Sequence, residues 1–107
     1  MGYKMRGMVD KIVGRSEDVK DPSSIRYIKA IPLRAYEDID VIKAEVRSGN
    51  IVICNVSPLA KHNIEDVKRG INELNEYAQL IEGDIARLGE ERVILTPKMV
   101  RIWRNRT

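Results

Sequence analysis

Two stretches in the first half of the chain carry the period of a β-strand. Residues 25–33, IRYIKAIPL, alternate between two faces, and Pro32 indicates a strand end or an edge position because proline cannot donate to a ladder. Residues 51–56, IVICNV, form a continuous apolar run that stops before Pro58 and is typical of a central strand. The pattern therefore predicts two strands with a different kind of element between them.

Two other stretches carry the helical period. Residues 36–48, YEDIDVIKAEVRS, begin with acidic side chains, which favour the positive end of a helix dipole, and Gly49 follows as a C-cap signal. Residues 63–82 predict the longest helix, with Asn63 as its N-cap. The apolar stripes that predict core contact are Ile39, Ile42 and Val46 on the first helix and Ile64, Val67, Ile71, Leu74, Ala78 and Ile81 on the second.

The last third of the chain returns to the strand period. Residues 83–97, GDIARLGEERVILTP, predict a β-hairpin with its turn at residues 89–91, and residues 100–103, VRIW, predict one more short strand. The element order is then β-α-β-α-β-β-β. This order predicts an α+β fold, a two-layer sandwich in which two helices pack on one face of a five-stranded sheet.

Composition adds a separate segment in front of this domain. The chain has 107 residues, 43% of them hydrophobic and none of them Phe, so one domain with an aliphatic core is expected. Residues 1–15, MGYKMRGMVDKIVGR, are apolar and basic, whereas residues 16–24, SEDVKDPSS, are nearly all polar. We therefore predict a separate segment over residues 1–15, a connector over residues 16–24 and a globular domain over residues 25–107.

The charge of the chain is unevenly distributed. The net charge of +3 is too small to indicate a nucleic-acid partner by itself. Residues 1–15 and the tail from Lys98 onward are both basic, and the middle of the chain is acidic. No apolar run reaches the length of a membrane span, and the N-terminal apolar residues are too interrupted for a signal peptide, so a cytoplasmic protein is expected.

Residues that carry chemistry are sparse. The chain has no glycine-rich phosphate-binding motif, and its only cysteine and histidine are Cys54, within an apolar run, and His62, just before a helix. These positions favour a buried structural thiol and a surface histidine over a catalytic dyad, and two ligands are too few for zinc. We expect no enzyme activity, no metal and no cofactor.

The middle of the chain resembles a known family. The stretch YEDIDVIKAEVRSGNIVICNVSPL, followed after a long helix by GDIARLGEERVILTP, is similar to the SepF family of prokaryotic cell-division proteins. The resemblance covers residues 27–102 and rests on the order and spacing of several short motifs. These are Tyr36-Glu37-Asp38, Asn55, Arg69, Gly83-Asp84 and Thr96-Pro97.

The second helix departs from the bacterial members of that family. They usually carry Asp-Phe there, followed by a small residue and a glycine, and the matching positions are Asn72, Glu73, Asn75 and Glu76. The glycine is associated in the family with assembly beyond the dimer, so Glu76 argues against such assembly here. The short connector and the unbroken helix are more similar to the archaeal branch.

The resemblance implies a membrane anchor that forms a homodimer and binds the C-terminal tail of FtsZ, the tubulin-like division polymer. Such a protein would lie on the inner face of the cell membrane at the division site. The tail would dock on a groove lined by the hairpin of residues 83–97. There Arg87 is the candidate contact for a carboxylate of the tail and Val93 for an apolar group, unless Arg87 is a solvated strand residue and Val93 a core residue. Candidate residues of the dimer interface on the second helix are Leu74, Tyr77, Ala78 and Ile81.

The N-terminal segment has the amphipathic pattern that a membrane anchor needs. On a helix it would be apolar on one side with cations flanking that side, which suits the interface of an anionic membrane. Its three glycines each disfavour helix by roughly 1 kcal/mol, so we expect the helix to form only on lipid. The alternative is a frayed terminus. The candidate membrane-binding residues are Met5, Met8, Val9, Lys11, Ile12 and Val13.

A second class of function remains open for the basic tail. Trp103 with Arg101, Arg104 and Arg106 could hold single-stranded RNA or DNA by stacking and charge. Together with Lys98 the tail has four cations and one aromatic side chain, which are few for that task, so we expect no nucleic-acid partner and keep this hypothesis as the alternative.

Overall fold

The computed structural model describes residues 24–105, which form four strands and three helices. In chain order these are β1 (Ile28–Pro32), α1 (Asp38–Arg47), β2 (Ile51–Asn55), α2 (Ser57–Ala60), α3 (Ile64–Leu80), β3 (Asp84–Leu88) and β4 (Arg92–Thr96). The targeting segment predicted over residues 1–15 lies outside the described residues, as does nearly all of the connector.

Local capping sets the ends of the two long helices. Asp38 accepts hydrogen bonds from the backbone N–H groups of Arg34 (2.9 Å) and Ala35 (3.1 Å), which holds the turn that leads into α1. Gly49 follows the C-cap of α1 with φ +101°, a conformation that favours glycine, as the sequence predicts. The side chain of Asn63 accepts from the backbone N–H of Asp66 (3.1 Å), so its predicted role as the N-cap of α3 is confirmed.

The strands form one sheet in the order β1-β2-β4-β3. β1 and β2 are parallel, with α1 as the crossover between them, and the other two pairs are antiparallel. The register places Val52 opposite Leu95 and Cys54 opposite Val93. These four side chains are at most 4% exposed and pack with residues of all three helices in the core. The α+β class and the packing of the helices on one face of the sheet are therefore confirmed.

The structure corrects the predicted element order in two places. Residues 100–103 form no fifth strand among the described residues, because Met99 turns the chain at φ +77° and the N–H of Ile102 bonds to the side chain of Asp84 (2.9 Å) instead of a strand carbonyl. The unpredicted α2 begins where the side chain of Asn55 accepts from the N–H of Ser57 (2.9 Å). Pro58 fits its first turn because a proline there sacrifices no intrahelical hydrogen bond.

Candidate functional site

A groove of about 600 Å³ runs between α3 and the β3–β4 hairpin. Strand β3 is at the edge of the sheet, so one of its sides has no strand neighbour among the described residues. The groove combines an aliphatic bottom with polar side chains along both walls. Its lining residues are Val56, Ala60, Ile64, Val67, Lys68, Ile71, Asn72, Asn75, Ile85, Ala86, Arg87, Glu90, Arg92 and Val93.

The helical wall follows from the spacing of residues along α3. Lys68, Asn72 and Asn75 stand at i, i+4 and i+7, so they share one face of the helix. Ile64 precedes them by one turn and is 50% exposed, although the sequence assigned it to the core stripe. This face therefore presents an exposed aliphatic side chain and two amides to the groove.

The strand wall carries the two partner-binding residues that the sequence predicted. Arg87 is exposed, and the register opposite Val93 directs it to the helical side of the sheet. Its guanidinium donates only a long hydrogen bond, 3.5 Å, to the carbonyl of Glu90. Val93 is 4% exposed and packs in the core, so it contributes to the bottom of the groove and has little free surface. The structure thus brings Arg87 and Val93 together but in unequal roles.

The groove has a net positive charge. Lys68, Arg87 and Arg92 line it, against the single carboxylate of Glu90. Lys68 also lies 3.7 Å from Glu65, but both side chains are at least 70% exposed, and such a pair is weak in water. An aliphatic bottom with cations on the rim suits a peptide that has apolar side chains and at least one carboxylate.

The position of the helical wall is fixed by contacts between α1 and the opposite face of α3. Tyr36 and Lys43 both donate to the carboxylate of Glu73, and the guanidinium of Arg69 lies 4.1 Å from the centre of the Tyr36 ring. Lys43, and then Tyr36, hold the pKa of Glu73 below its usual value, while the bond to Glu73 raises the pKa of Tyr36. Tyr36, Arg69 and Glu73 are therefore bound within the domain and position α3.

The proposed dimer residues on α3 are divided by burial. Leu74 is 1% exposed and Ala78 is 2% exposed, so both contact their own core and leave no free surface for a second copy. The dimer interface on α3 stays a prediction, and burial removes Leu74 and Ala78 from direct contact with a second copy. Tyr77 and Ile81 are half-buried, and Leu80 is the exposed apolar residue of this helix end, at 78%.

Cys54 and His62 do not form a reactive pair. Cys54 is fully buried, and burial raises the pKa of its thiol to about 11, so it is protonated at neutral pH. His62 is exposed at the surface before α3. A protonated thiol in an apolar core is no nucleophile, which agrees with the structural role predicted for Cys54.

Sequence reasoning found the strand wall of the groove, on the hairpin of residues 83–97, and missed the helical wall. The lining residues of α3 belong to none of the short motifs that carried the resemblance. The available signal was that Lys68, Asn72 and Asn75 share one face of the helix. Two of these side chains are amides, although charged side chains would be enough for a face that contacts only solvent.

Among the described helices, none has the length and apolar character that a membrane span requires.

Comparison with known proteins gives consistent matches. The curated "Cell division protein SepF" of Haloferax volcanii is 29% identical over 72 residues, which are 65% of this chain. The chain spans 58% of the length of that relative. The solved "SepF-like protein from Pyrococcus furiosus" is 33% identical with a TM-score of 0.70, covering 79% of this chain and all of that one.

A third similar protein was solved with a bound partner. It is "Cell division protein SepF from Methanobrevibacter smithii in complex with FtsZ-CTD", with a TM-score of 0.66 and 21% identity, covering 74% of this chain and 99% of that chain. At this identity the likeness shows the shared fold. The profile of the family described as "Cell division protein SepF" matches residues 28–102, which include every strand, helix and groove residue described above. The chain therefore belongs to the SepF family of cell-division proteins.

Proposed function

We propose that this protein is a non-enzymatic adaptor that binds the C-terminal tail of FtsZ in the groove between α3 and β3. The observation that carries the proposal is the open aliphatic groove with three cations on its rim. The relative from Methanobrevibacter smithii, whose title names FtsZ-CTD as its partner, supports the choice of that peptide.

Each wall of the groove offers a different kind of contact to such a peptide. An extended segment can pair with the backbone of the edge strand β3 beyond Ile85, whose carbonyl already accepts from Arg104 (2.9 Å). Apolar side chains of the segment can lie against Ile64 and Ile71 on α3. Arg87 is placed to form a charge-assisted bidentate pair with a carboxylate of the tail. The carboxylate of Glu90 would repel an acidic residue of the peptide beside it, so the peptide should bind in one orientation.

The experiment that tests this proposal replaces Arg87→Glu and measures binding of an FtsZ C-terminal peptide by calorimetric titration. We expect the affinity to fall at least tenfold, because a charge-assisted pair is replaced by repulsion between two carboxylates. The thermal midpoint should stay nearly unchanged, since Arg87 is exposed and makes only one long hydrogen bond. Arg34→Glu, an exposed cation that does not line the groove, is the matched control. Wild-type affinity of the Arg87→Glu variant would place the peptide elsewhere.

The proposed adaptor also forms a homodimer, and the outer face of the sheet is the surface that we assign to it. The strand register puts only aliphatic side chains on the middle of this face, and Ile28 is 69% and Leu88 48% exposed. The aliphatic residues of this face are Ile28, Ala30, Ile51, Ile53, Ala86, Leu88 and Ile94. The aliphatic middle of this face is complementary to itself about a two-fold axis, so a second copy is the occupant.

The third part of the proposal is the membrane anchor at residues 1–15, with residues 16–24 as the connector. Its support is the amphipathic pattern of that segment, with cations beside the apolar positions. The protein would then lie peripherally on the inner face of the membrane at the division site.

The alternative function, binding of single-stranded nucleic acid by the tail, loses support from the contacts of its arginines. Arg104 pairs with Asp84 (3.0 Å), and Arg101 donates to the backbone carbonyls of Glu82 and Gly83. These guanidinium groups hold the tail against the domain, so they are poorly placed to follow a phosphate backbone.

A further inference from the structure

A second concave surface, of about 420 Å³, lies where the chain enters the described domain, and it shares no lining residue with the groove. Three cations from separate parts of the chain line it. They are Arg26 ahead of β1, Arg47 at the end of α1, and Lys98 after β4. Aliphatic side chains, including those of Val46 and Ile81, complete the lining. The surface thus combines positive charge with an apolar interior.

The C-terminal tail continues this surface. Met99 lines the cavity and is nevertheless 86% exposed, and its backbone has φ +77°, which is unfavourable for a bulky side chain. Trp103 is 83% exposed four residues later. Arg101 holds the tail between them by donating to the carbonyls of Glu82 (3.3 Å) and Gly83 (3.0 Å). The tail is therefore fixed to the domain while its two largest apolar side chains face solvent.

Cations exceed carboxylates on this surface. Arg104 is paired with Asp84 (3.0 Å), and Lys98 with Glu82 (3.2 Å), the latter between two side chains that are each about two-thirds exposed. Arg47 and Arg101 have no carboxylate partner among the described residues. An excess of positive charge beside exposed Met and Trp side chains is the combination that favours a membrane surface, where tryptophan prefers the head-group region and cations meet anionic lipids.

We propose that Arg26, Arg47, Lys98, Met99 and Trp103 form a second membrane contact, on the folded domain itself, that docks on the head groups of an anionic lipid bilayer. The inference goes beyond the anchor at residues 1–15 and rests on it, since the anchor brings this end of the domain to the membrane. Nine residues span at most roughly 30 Å even when fully extended, so an anchor at residues 1–15 would keep Arg26 within about that distance of the bilayer. Two linked contacts then strengthen each other.

Trp103 provides a direct readout because it is the only tryptophan of the chain. The full-length protein is mixed with vesicles of phosphatidylglycerol and phosphatidylcholine, and both co-sedimentation and tryptophan emission are measured. We expect the emission to shift to shorter wavelength and to be quenched by lipids brominated on their acyl chains. Vesicles of phosphatidylcholine alone should give a much smaller shift, because they lack the anionic head groups.

Matched variants separate this surface from the anchor. The double variant Met99→Ser/Trp103→Ser should partition to the mixed vesicles about tenfold less than the wild type, because it loses two exposed apolar side chains. Val41→Ser/Leu80→Ser removes two exposed apolar side chains that belong to neither the groove nor the outer face of the sheet, and should change partition by less than about twofold. Arg47→Gln should weaken binding about threefold to fivefold on mixed vesicles, and the control Arg34→Gln should not.

Each contrary outcome has a distinct meaning. If the protein co-sediments with vesicles while the Trp103 emission stays at its free value, the second contact is wrong and the anchor stands. If the protein does not co-sediment at all, both the inference and the anchor are wrong. If polyuridylate shifts or quenches the emission and vesicles do not, the surface binds nucleic acid and the inference is overturned.

Discussion

At the scale of single residues, the motifs that identify the family have local structural roles. Gly83 joins α3 to β3, where a Cβ atom would lie 2.1 Å from the carbonyl oxygen of Thr96. Asp84, next in the chain, binds the tail through Ile102 and Arg104. The path of the backbone requires Gly83, and the attachment of the tail requires Asp84, whatever the domain binds.

Gly83→Ala is therefore expected to destabilise the domain strongly. Its methyl group would overlap a backbone atom that cannot turn aside as a side chain could, so we expect a loss of at least about 2 kcal/mol in the free energy of unfolding. Chemical denaturation followed by circular dichroism measures this loss. Gly89→Ala is the control, because Gly89 also has a positive φ, +78°, but has open space around it, and its loss should stay near 1 kcal/mol. Equal losses in the two variants would contradict the steric argument.

Asp84 predicts how stability depends on pH. Hydrogen bonds from Arg104, then from the backbone of Ile102, lower the pKa of its carboxyl from 3.8 to about 2. The unfolded chain therefore takes up the proton first on acidification, and the stabilisation is present above about pH 4 and is lost as the pH falls towards about 2. Because Arg104 is partly exposed to water, we expect this contribution to be on the order of 1 kcal/mol.

The test compares the wild type with Asp84→Asn across that pH range. The variant should be less stable at neutral pH, and the difference in unfolding free energy should shrink as the pH falls from about 4 to about 2. A difference that stays constant over this range would show that the Asp84 charge contributes nothing and that only the shape of the side chain matters.

At the scale of elements, the sheet has two faces with different roles. Helices α1 and α3 cover the face that carries Val52 and Leu95, whereas the face that carries Ile53 and Ile94 is aliphatic and only half-buried. The sequence placed the dimer interface on α3, but burial of Leu74 and Ala78 moves the available apolar surface to the sheet.

Two substitutions distinguish the sheet from the helix as the dimer interface. Ile53→Lys places a charge in the middle of the outer face and should reduce the mass measured by light scattering at micromolar concentration from two chains to one chain of 12.3 kDa. Leu80→Lys, at a 78% exposed position of α3, should leave the mass unchanged. The reverse result would restore the helical interface, and a wild type that is already monomeric would contradict the dimer itself.

At the scale of the whole molecule, the proposed peptide groove and the proposed membrane contact lie at separate places. The groove between α3 and β3 and the cavity lined by Arg26, Arg47 and Lys98 have no residue in common. This separation lets the proposed adaptor hold a peptide and a bilayer at the same time.

The anchor itself is tested by Ile12→Glu. A carboxylate in the middle of the apolar face should lower co-sedimentation with anionic vesicles at least tenfold, because burying an unpaired charge at the lipid interface is costly. The thermal midpoint of the globular domain should not change. Val19→Glu adds the same charge within the connector and should bind vesicles almost as the wild type does. Equal binding by the two variants would argue against an anchor at residues 1–15.

The sequence by itself determined the features that depend on near neighbours in the chain. The period of apolar residues predicted both long helices and the hairpin, and the caps at Gly49 and Asn63 lie where the sequence placed them, because capping depends on a few adjacent residues. The order and spacing of short motifs also pointed to the family, and the profile match over residues 28–102 confirmed it.

Only the tertiary structure decided which surfaces are free. The alternation of VRIW at residues 100–103 predicted a strand, but the side chain of Asp84 binds the tail instead. The stripe on α3 treated Ile64 and Leu74 alike, although packing leaves Ile64 half-exposed at the groove and buries Leu74. Periodicity reports which side chains share a face of one element, whereas burial depends on the other elements that cover that face. Those elements come from distant parts of the chain, which is why the helical wall of the groove and the free outer face of the sheet emerged only from the folded molecule.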